Sequence, residues 1–211
     1  NASKFIYQNA SVLELNTGFS TNSVGYFPNV NITTIPVFRT TTNLVVGAGN
    51  PTIVNGIFEA AGGTITFQNA GTKTFRNGII GTSSINGSTS GKFIINGTSA
   101  SLGGTGSLTL PSVNGMDIGN STTVTLVSDK AITGNIALLS NALVTLGTFN
   151  LTMTGSITGG SASSHIVTNS TGKLVINNIG VTPVTFPIGA NTTSINALEI
   201  YNGVGKNYGA R

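Results

Sequence analysis

The chain has 211 residues, of which 38% are hydrophobic and only 7% are charged, with 29 glycines and no cysteine. This length and apolar content are enough to bury a core, and the missing cysteines exclude disulfides and cysteine-based zinc sites. The net charge is only +4 and the densest basic group is Lys73 with Arg76, so nucleic acid is not an expected partner.

The residue types between the glycines and asparagines favour strands. Thr, Val, Ile and Phe dominate these stretches, while the Glu, Lys, Gln and Arg that solvate helices are scarce. We therefore predict an all-β protein. No apolar stretch approaches the roughly 18 residues of a membrane helix, so membrane insertion is not expected. The low charge suits a secreted bacterial protein, and a chain beginning at Asn1 is expected to be a processed product or a fragment.

Residues 1–42 are predicted to form an irregular N-terminal cap. Aromatic residues are frequent there without a regular pattern, and a stack of strands needs its first edge covered. The aromatic residues are Phe5, Tyr7, Phe19, Tyr26, Phe27 and Phe38.

Residues 43–177 form a series of short alternating runs separated by Gly and Asn turns. The runs are NLVVG (43–47), TITF (64–67), KFIIN (92–96), SLTL (107–110), MDI (116–118), TVTLVS (123–128), AIT (131–133), ALVTL (142–146), FNLTM (149–153), HIVT (165–168) and KLVIN (173–177). From residue 107 onward, SLTL, TVTLVS, ALVTL and HIVT form one series that recurs every 16 to 23 residues, and MDI, AIT, FNLTM and KLVIN form a second series at similar intervals. Two series with one period predict a parallel β-helix, expected to be right-handed, in which each turn of the coil adds one strand to each face.

A β-sandwich also produces short strands at close spacing, so the period leaves that alternative open. Turn chemistry favours the β-helix, because turns such as NGT, GGTG and TGGS separate very short strands, and Asn tolerates left-handed backbone and can hydrogen-bond along a ladder. At about 4.8 Å per turn of the coil, the periodic part would form a rod of about 35 to 40 Å. The predicted inward residues are Leu108, Leu110, Val124, Leu126, Leu143, Thr145, Leu151, Met153, Ile166, Leu174 and Ile176.

Residues 178–211 are predicted to close the last turn or to begin a following β domain. VTPVTFPIG (181–189) places two prolines around a Val-Thr-Phe run, which suits an edge strand or a small C-terminal β extension.

The stretch from about residue 137 to residue 201 resembles the β-helical repeat region of adhesin-like surface proteins that Bacteroidota export through the type IX secretion system. Ile166 to Asn169, Thr171, Gly172 and Leu174 match a "VVTN-x-TG-x-L" step of that family, and Phe186 to Gly189 match its "FP-[IV]-G" step. The resemblance covers about a third of the chain. It implies an extracellular or cell-surface location, and it implies no catalytic residues, because the matched steps are structural. It also implies that a sorting domain follows Arg211 in the gene product.

His165 is the only histidine, and its sequence neighbourhood predicts a strand residue and not a catalyst. No acidic residue lies within thirty positions on either side, so neither a metal site nor a catalytic triad is expected around it.

The acidic residues are too dispersed to predict an active site. Asp117 and Asp129, with Lys130 beside the latter, are the one group that we expect to stack on adjacent turns of the coil, and a solvated corner is its ordinary interpretation. GGTGS (103–107) lacks the aspartate of calcium-binding repeats, and GAGNP (47–51) lacks the lysine of a phosphate loop. We therefore predict no catalytic, cofactor-binding or metal-binding residue, and no cofactor.

Two alternative functions follow from these observations. The first is a non-enzymatic, adhesive or structural stalk or fibre subunit of the cell surface that assembles end to end through its edges. The second is a carbohydrate-binding module or a degenerate polysaccharide-active β-helix. Hydroxyl rows predicted along TTVT (122–125) and TFNLTMTGSIT (148–158) suit a glycan or cell-surface ligand, whereas their irregular spacing argues against ice binding.

Overall fold

The computed structural model describes residues 12–16, 19–20, 37–46, 52–68, 71–168, 170–177 and 198–201. These residues form 23 strands, numbered β1 to β23 along the chain, and no helix. Every ladder between these strands is parallel. The fold is a parallel β-helix, as the repeat spacing predicts, and not the alternative β-sandwich, which is built from antiparallel sheets.

The strands belong to three sheets. Sheet A contains β1 (Val12–Leu15), β3 (Val37–Thr40), β6 (Ile57–Ala60), β9 (Gly78–Gly81), β12 (Ser99–Leu102), β15 (Thr123–Leu126), β18 (Leu143–Thr145) and β21 (His165–Val167). Sheet B contains β2 (Phe19–Ser20), β4 (Leu44–Val46), β7 (Thr64–Phe67), β10 (Ser84–Asn86), β13 (Leu108–Thr109), β16 (Lys130–Thr133), β19 (Leu151–Met153), β22 (Leu174–Asn177) and β23 (Leu198–Tyr201). Sheet C contains β5 (Thr52–Val54), β8 (Gly71–Phe75), β11 (Gly91–Ile95), β14 (Met116–Ile118), β17 (Ile136–Leu138) and β20 (Ile157–Thr158).

The chain passes through sheets A, B and C in turn, and one such circuit is called a rung here. The six strands of sheet C mark six rungs that contribute to all three sheets. The prediction of two interleaved series was therefore wrong in number, because each rung carries three strands. MDI lies in sheet C, SLTL and AIT lie in sheet B, and TVTLVS lies in sheet A. Strands of two to five residues leave room for a third strand within the same period.

The interior is filled by the apolar residues of all three sheets. The predicted inward residues are buried, with two exceptions. Leu143 and Thr145 are only half-buried, and Ala142, Val144 and Leu146 are buried instead. Since Val144 is in register with the buried Val124 and Ile166, its two neighbours must point outward from the same strand. The predicted orientation of ALVTL was wrong by one residue.

Aromatic residues fill the N-terminal part of this core. Five buried phenylalanines pack in sequence, with neighbouring ring centroids 5.2 to 5.7 Å apart. They are Phe38, Phe58, Phe67, Phe75 and Phe93. After Phe93 the described core contains only aliphatic residues and methionine among its fully buried apolar side chains. The interior therefore changes in character along the axis of the coil.

Parallel pairing extends outside the segment 43–177 that was predicted to form the β-helix. On the N-terminal side β1 pairs with β3 and β3 pairs with β6, and on the C-terminal side β22 pairs with β23. The division into a cap (1–42), a coil (43–177) and a terminal segment (178–211) stays a prediction, as does the handedness of the coil. VTPVTFPIG (181–189), with the "FP-[IV]-G" match, lies outside the described residues.

Asparagine and aspartate side chains connect successive rungs at the corners. Each accepts a hydrogen bond from a backbone N–H located one rung later, at donor–acceptor distances of 2.8 to 3.2 Å. The pairs are Asn43 with Thr64, Asn120 with Ser140, Asp129 with Asn150, Asn135 with Ser156 and Asn150 with Lys173. Asn141 adopts a left-handed backbone at a corner, with a φ of 58°. Both roles predicted for asparagine are thus confirmed.

Replacing Asn150 by alanine is expected to lower the free energy of unfolding by about 1 to 2 kcal/mol, because the backbone N–H of Lys173 would lose its acceptor in a partly buried position. Chemical denaturation followed by circular dichroism measures this change. Thr133→Ala removes an exposed hydroxyl from sheet B and is the control, with an expected change within about 0.5 kcal/mol. Equal losses in the two variants would show that the corner acceptor has no special role.

Candidate functional site

His165 lies at the start of β21 and is in register with Leu143 on the preceding rung. Its backbone N–H donates to the carbonyl of Ala142 at 3.0 Å. The side chain is half-buried, and Nδ1 is buried without a hydrogen-bond partner among the described residues. No carboxylate of the described residues is hydrogen-bonded to the imidazole. His165 is a strand residue, as its neighbourhood predicts.

Glu14, Arg39 and Glu59 occupy one register position on three successive rungs of sheet A. Arg39 Nε donates to Glu59 Oε2 at 2.9 Å, and Arg39 Nη1 donates to Glu14 Oε2 at 3.3 Å. The bond to Glu59, followed by that to Glu14, raises the pKa of Arg39 above its ordinary value. Sequence reasoning treated these acids as dispersed. Their spacings of 20 and 25 residues are each about one rung, which is the signal that could have grouped them.

Asp117 and Asp129 do not stack, so that prediction was wrong. Asp117 lies on sheet C, in register with Ile94 and Ala137, whereas Asp129 precedes β16 in sheet B. Their separation of twelve positions covers only part of one rung, which places them on different faces of the coil. Asp117 Oδ2 is 2.7 Å from the ammonium of Lys92, and Asp129 caps the N–H of Asn150.

Lys130, the third member of that predicted group, points into the coil. It is 2% exposed, and its ammonium donates to the carbonyl of Gly106 at 2.7 Å and to that of Gly104 at 3.4 Å. Burial lowers the pKa of Lys130 from its ordinary value of 10.5 to about 8. Lys130, Leu151 and Leu174 occupy the same register position on three successive rungs of sheet B. The lysine side chain therefore lies at an inward position that leucine occupies on the next two rungs. Sequence reasoning missed this inward orientation.

Lys73 also points inward, from sheet C. It is 1% exposed and lies in register between Thr52 and Phe93. Burial lowers its pKa below the ordinary value. Arg76 is exposed, so the pair noted as the densest basic group in the sequence does not form a basic patch.

The buried ammonium of Lys130 makes the stability depend on pH. Between pH 8 and 10.5 the unfolded chain binds more protons at this residue than the folded chain, so the free energy of unfolding should rise across this interval. The rise is expected to approach about 3 kcal/mol. Denaturation at a series of pH values measures it. Lys130→Met should remove this contribution and leave only that of Lys73, whose pKa is also lowered by burial. An unchanged rise in that variant would contradict the assignment to Lys130.

Neutral polar residues cover the outer surface of sheet B. Thr66, Asn86, Thr109 and Thr133 are in register on successive rungs, beside a second row that includes Thr64 and Ser84 and, two rungs later, Ala131 and Thr152. On sheet A, Thr123 and Thr125 point outward, but Thr122 of the same run is fully buried. The predicted hydroxyl rows therefore exist on two sheets. Their members vary between Thr, Ser, Asn and Ala from rung to rung, and on sheet B Val45 and Val175 occupy positions in the same rows.

A shallow cleft of about 610 Å³ opens at the corners that lead from sheet C to sheet A. Three successive rungs contribute to it, and its walls are neutral. The lining residues are Asn120, Leu138, Leu139, Ser140, Asn141, Gly159, Ser161, Ser163 and Ser164. Sequence reasoning did not locate this cleft, because its residues resemble those of every other corner.

Within the described part of the chain, no three His, Cys, Asp or Glu side chains lie close enough to hold a metal ion. The described residues also include no helix that is long and apolar enough to cross a membrane. Comparison with protein-family models, with curated proteins and with solved structures finds no match for this chain. The function must therefore be argued from the fold and from the chemistry of these surfaces.

Proposed function

We propose that the chain is a non-enzymatic segment of an extracellular bacterial surface protein, in which the β-helix serves as a rigid stalk or as a fibre subunit. The observation that carries this proposal is the uninterrupted stack of parallel rungs around an apolar interior. Ladders that satisfy the backbone amides along the whole stack resist bending and proteolysis without disulfides. The resemblance of residues 137–201 to Bacteroidota adhesins and the low charge support an extracellular location.

The acidic groups support a non-enzymatic role. Glu14 and Glu59 bind Arg39, Asp117 binds Lys92, and Asp129 accepts a backbone N–H. Hydrolysis or elimination on a polysaccharide needs a pair of carboxylates, or a carboxylate facing a base, free to reach the substrate. The carboxylates of Glu14, Glu59, Asp117 and Asp129 therefore all have partners inside the protein.

Electron microscopy of the native protein, with light scattering in parallel, tests this proposal. We expect uniform rods or fibres, with strands stacked at about 4.8 Å along the long axis. Long fibres would show that the chain assembles end to end, and isolated rods would show a spacer within a larger protein. Compact round particles, or turnover of a polysaccharide in a depolymerisation assay, would contradict it.

A second candidate function is carbohydrate binding, which the neutral cleft between sheets C and A favours. This function is compatible with a stalk, because a surface fibre that adheres needs a ligand-binding site somewhere along its length.

A further inference from the structure

Of the three successive corners that line the cleft, the last is longer than the other two. The corners at residues 119–122 and 139–142 have equal lengths, whereas the register of the flanking strands leaves one extra residue in the corner at residues 159–164. In the longer corner Ser161 and Ser164 form an antiparallel bridge, the only isolated one in the described chain. Ser161, Ser163 and Ser164 of this corner form one wall of the cleft.

Ser164 fixes this wall to the body of the coil. It is 1% exposed, and its hydroxyl donates to the carbonyl of Leu139 at 2.7 Å. The same oxygen accepts from the backbone N–H of Ala142 at 3.3 Å. At the start of the corner, Gly159 has a φ of 79°, and a Cβ there would overlap the carbonyl of Leu138. The wall is therefore formed before any ligand arrives, which lowers the ordering cost of binding.

The chemistry of the lining selects a neutral ligand. It contains no charged group, so an ionic ligand would lose hydration without gaining a counterion. The exposed hydroxyl of Ser140 and the side-chain amide of Asn141 offer donors and acceptors. The hydroxyls of Ser161 and Ser163 bond to each other at 3.3 Å, and the side-chain oxygen of Asn120 accepts the N–H of Ser140, so these three residues offer only their remaining bonding capacity. The amide of Asn141 makes no hydrogen bond to any other described residue. A wholly apolar ligand would leave the hydroxyl of Ser140 and the amide of Asn141 unpaired.

The same cleft also offers an apolar surface. Leu139 is 37% exposed although most aliphatic residues of this region are buried, and it lines the cleft together with the polar residues. A ligand that fits must present hydroxyls at its edges and C–H groups on a face. Sugar rings have this combination, and a cleft of about 610 Å³ lies within the size range of small-molecule sites.

We infer that the corner cleft between sheets C and A is a binding site for a neutral saccharide. This inference rests on the proposed surface function and supplies its ligand class. The cleft is open and offers no aromatic ring for stacking, so a single site binds weakly, with a Kd on the order of 1 mM. Repeated presentation of one cleft per chain along a fibre would raise the overall affinity without new contacts.

Saturation-transfer NMR with neutral sugars tests the site, because it detects weak binding to rods and fibres alike. The probes are glucose, galactose, mannose, N-acetylglucosamine and their β-1,4-linked dimers. At least one is expected to give a saturable signal, and the double variant Ser140→Ala/Ser163→Ala is expected to weaken it about fivefold or more. The control is Ser107→Ala/Thr133→Ala, which removes two hydroxyls from the outer surface of sheet B and should leave the signal unchanged.

Three results would overturn the inference. The first is that no probe gives a saturable signal. The second is that the control variant loses as much signal as the cleft variant. The third is that the cleft variant, with thermal unfolding that matches that of the parent protein, gives an undiminished signal. Electron microscopy of the same variants separates this outcome from the proposed stalk. Normal rods without sugar binding would reject the cleft alone, and sugar binding by compact particles would reject the stalk alone.

Discussion

Replacing Gly78 by alanine is expected to lower the free energy of unfolding by about 3 to 5 kcal/mol. Gly78 lies in β9 with a φ of 102°, a conformation that residues with a Cβ rarely adopt. A Cβ at this position would also overlap the backbone of Ser101 on the next rung. Because backbone and not a flexible side chain is in the way, the two rungs would have to separate locally. Urea denaturation followed by circular dichroism measures the loss.

Gly147→Ala is the matched control for this substitution. Gly147 also has a positive φ, of 60°, but a Cβ there would meet nothing within 4 Å. Its expected cost is the left-handed conformation alone, about 1 kcal/mol. If both variants lost the same free energy, close approach between rungs would not explain the glycine at position 78.

The second large effect is expected from Phe58→Ala, which should cost about 3 to 5 kcal/mol. Phe58 is fully buried and stacks on Phe38 with ring centroids 5.6 Å apart and planes at 13°. Its ring also packs against Phe67 and Phe75, at 5.7 and 5.6 Å. Truncation would leave a cavity between rungs that cannot collapse independently, because each strand is hydrogen-bonded on both sides. The free energy of unfolding from denaturant titration is the measurement.

Phe58→Leu separates the loss of volume from the loss of ring geometry. It retains most of the apolar volume, so its cost should be about 1 to 2 kcal/mol, including the aromatic contacts that are lost. An alanine variant no less stable than the leucine variant would mean that the phenylalanine cluster does not determine the stability of these rungs.

Composition and spacing were sufficient to predict the fold, because short strands separated by Gly and Asn at a repeat near 20 residues suit few all-β architectures. The orientation of individual strands was less predictable. In ALVTL, both Leu143 and Val144 are apolar. The strand contains only three residues, which is too few for the alternation of polar and apolar side chains to decide which of the two points inward. Thr145 contains the missing signal, since a polar residue facing water requires Leu143, two positions before it, to face water as well.

The buried lysines show a different limit of sequence reasoning. Charged residues are almost never fully buried without a partner, so Lys73 and Lys130 are read as surface residues from sequence alone. Lys130 is tolerated inside because the glycine-rich corner around Gly104 and Gly106 presents backbone carbonyls to its ammonium. That corner belongs to the preceding rung, about 25 residues before Lys130 in the sequence. Only the register of the coil brings the lysine and these carbonyls together.

The five hydrogen bonds that asparagine and aspartate side chains accept at the corners all run in the same direction along the coil. In each of them the acceptor side chain belongs to the earlier rung and the N–H donor to the later rung. A completed rung therefore presents ready acceptors to the segment that follows it in the chain. During synthesis from the N-terminus, the phenylalanine-filled rungs would emerge before the aliphatic rungs and act as a template for them. Each further rung would be added in the order in which its residues appear.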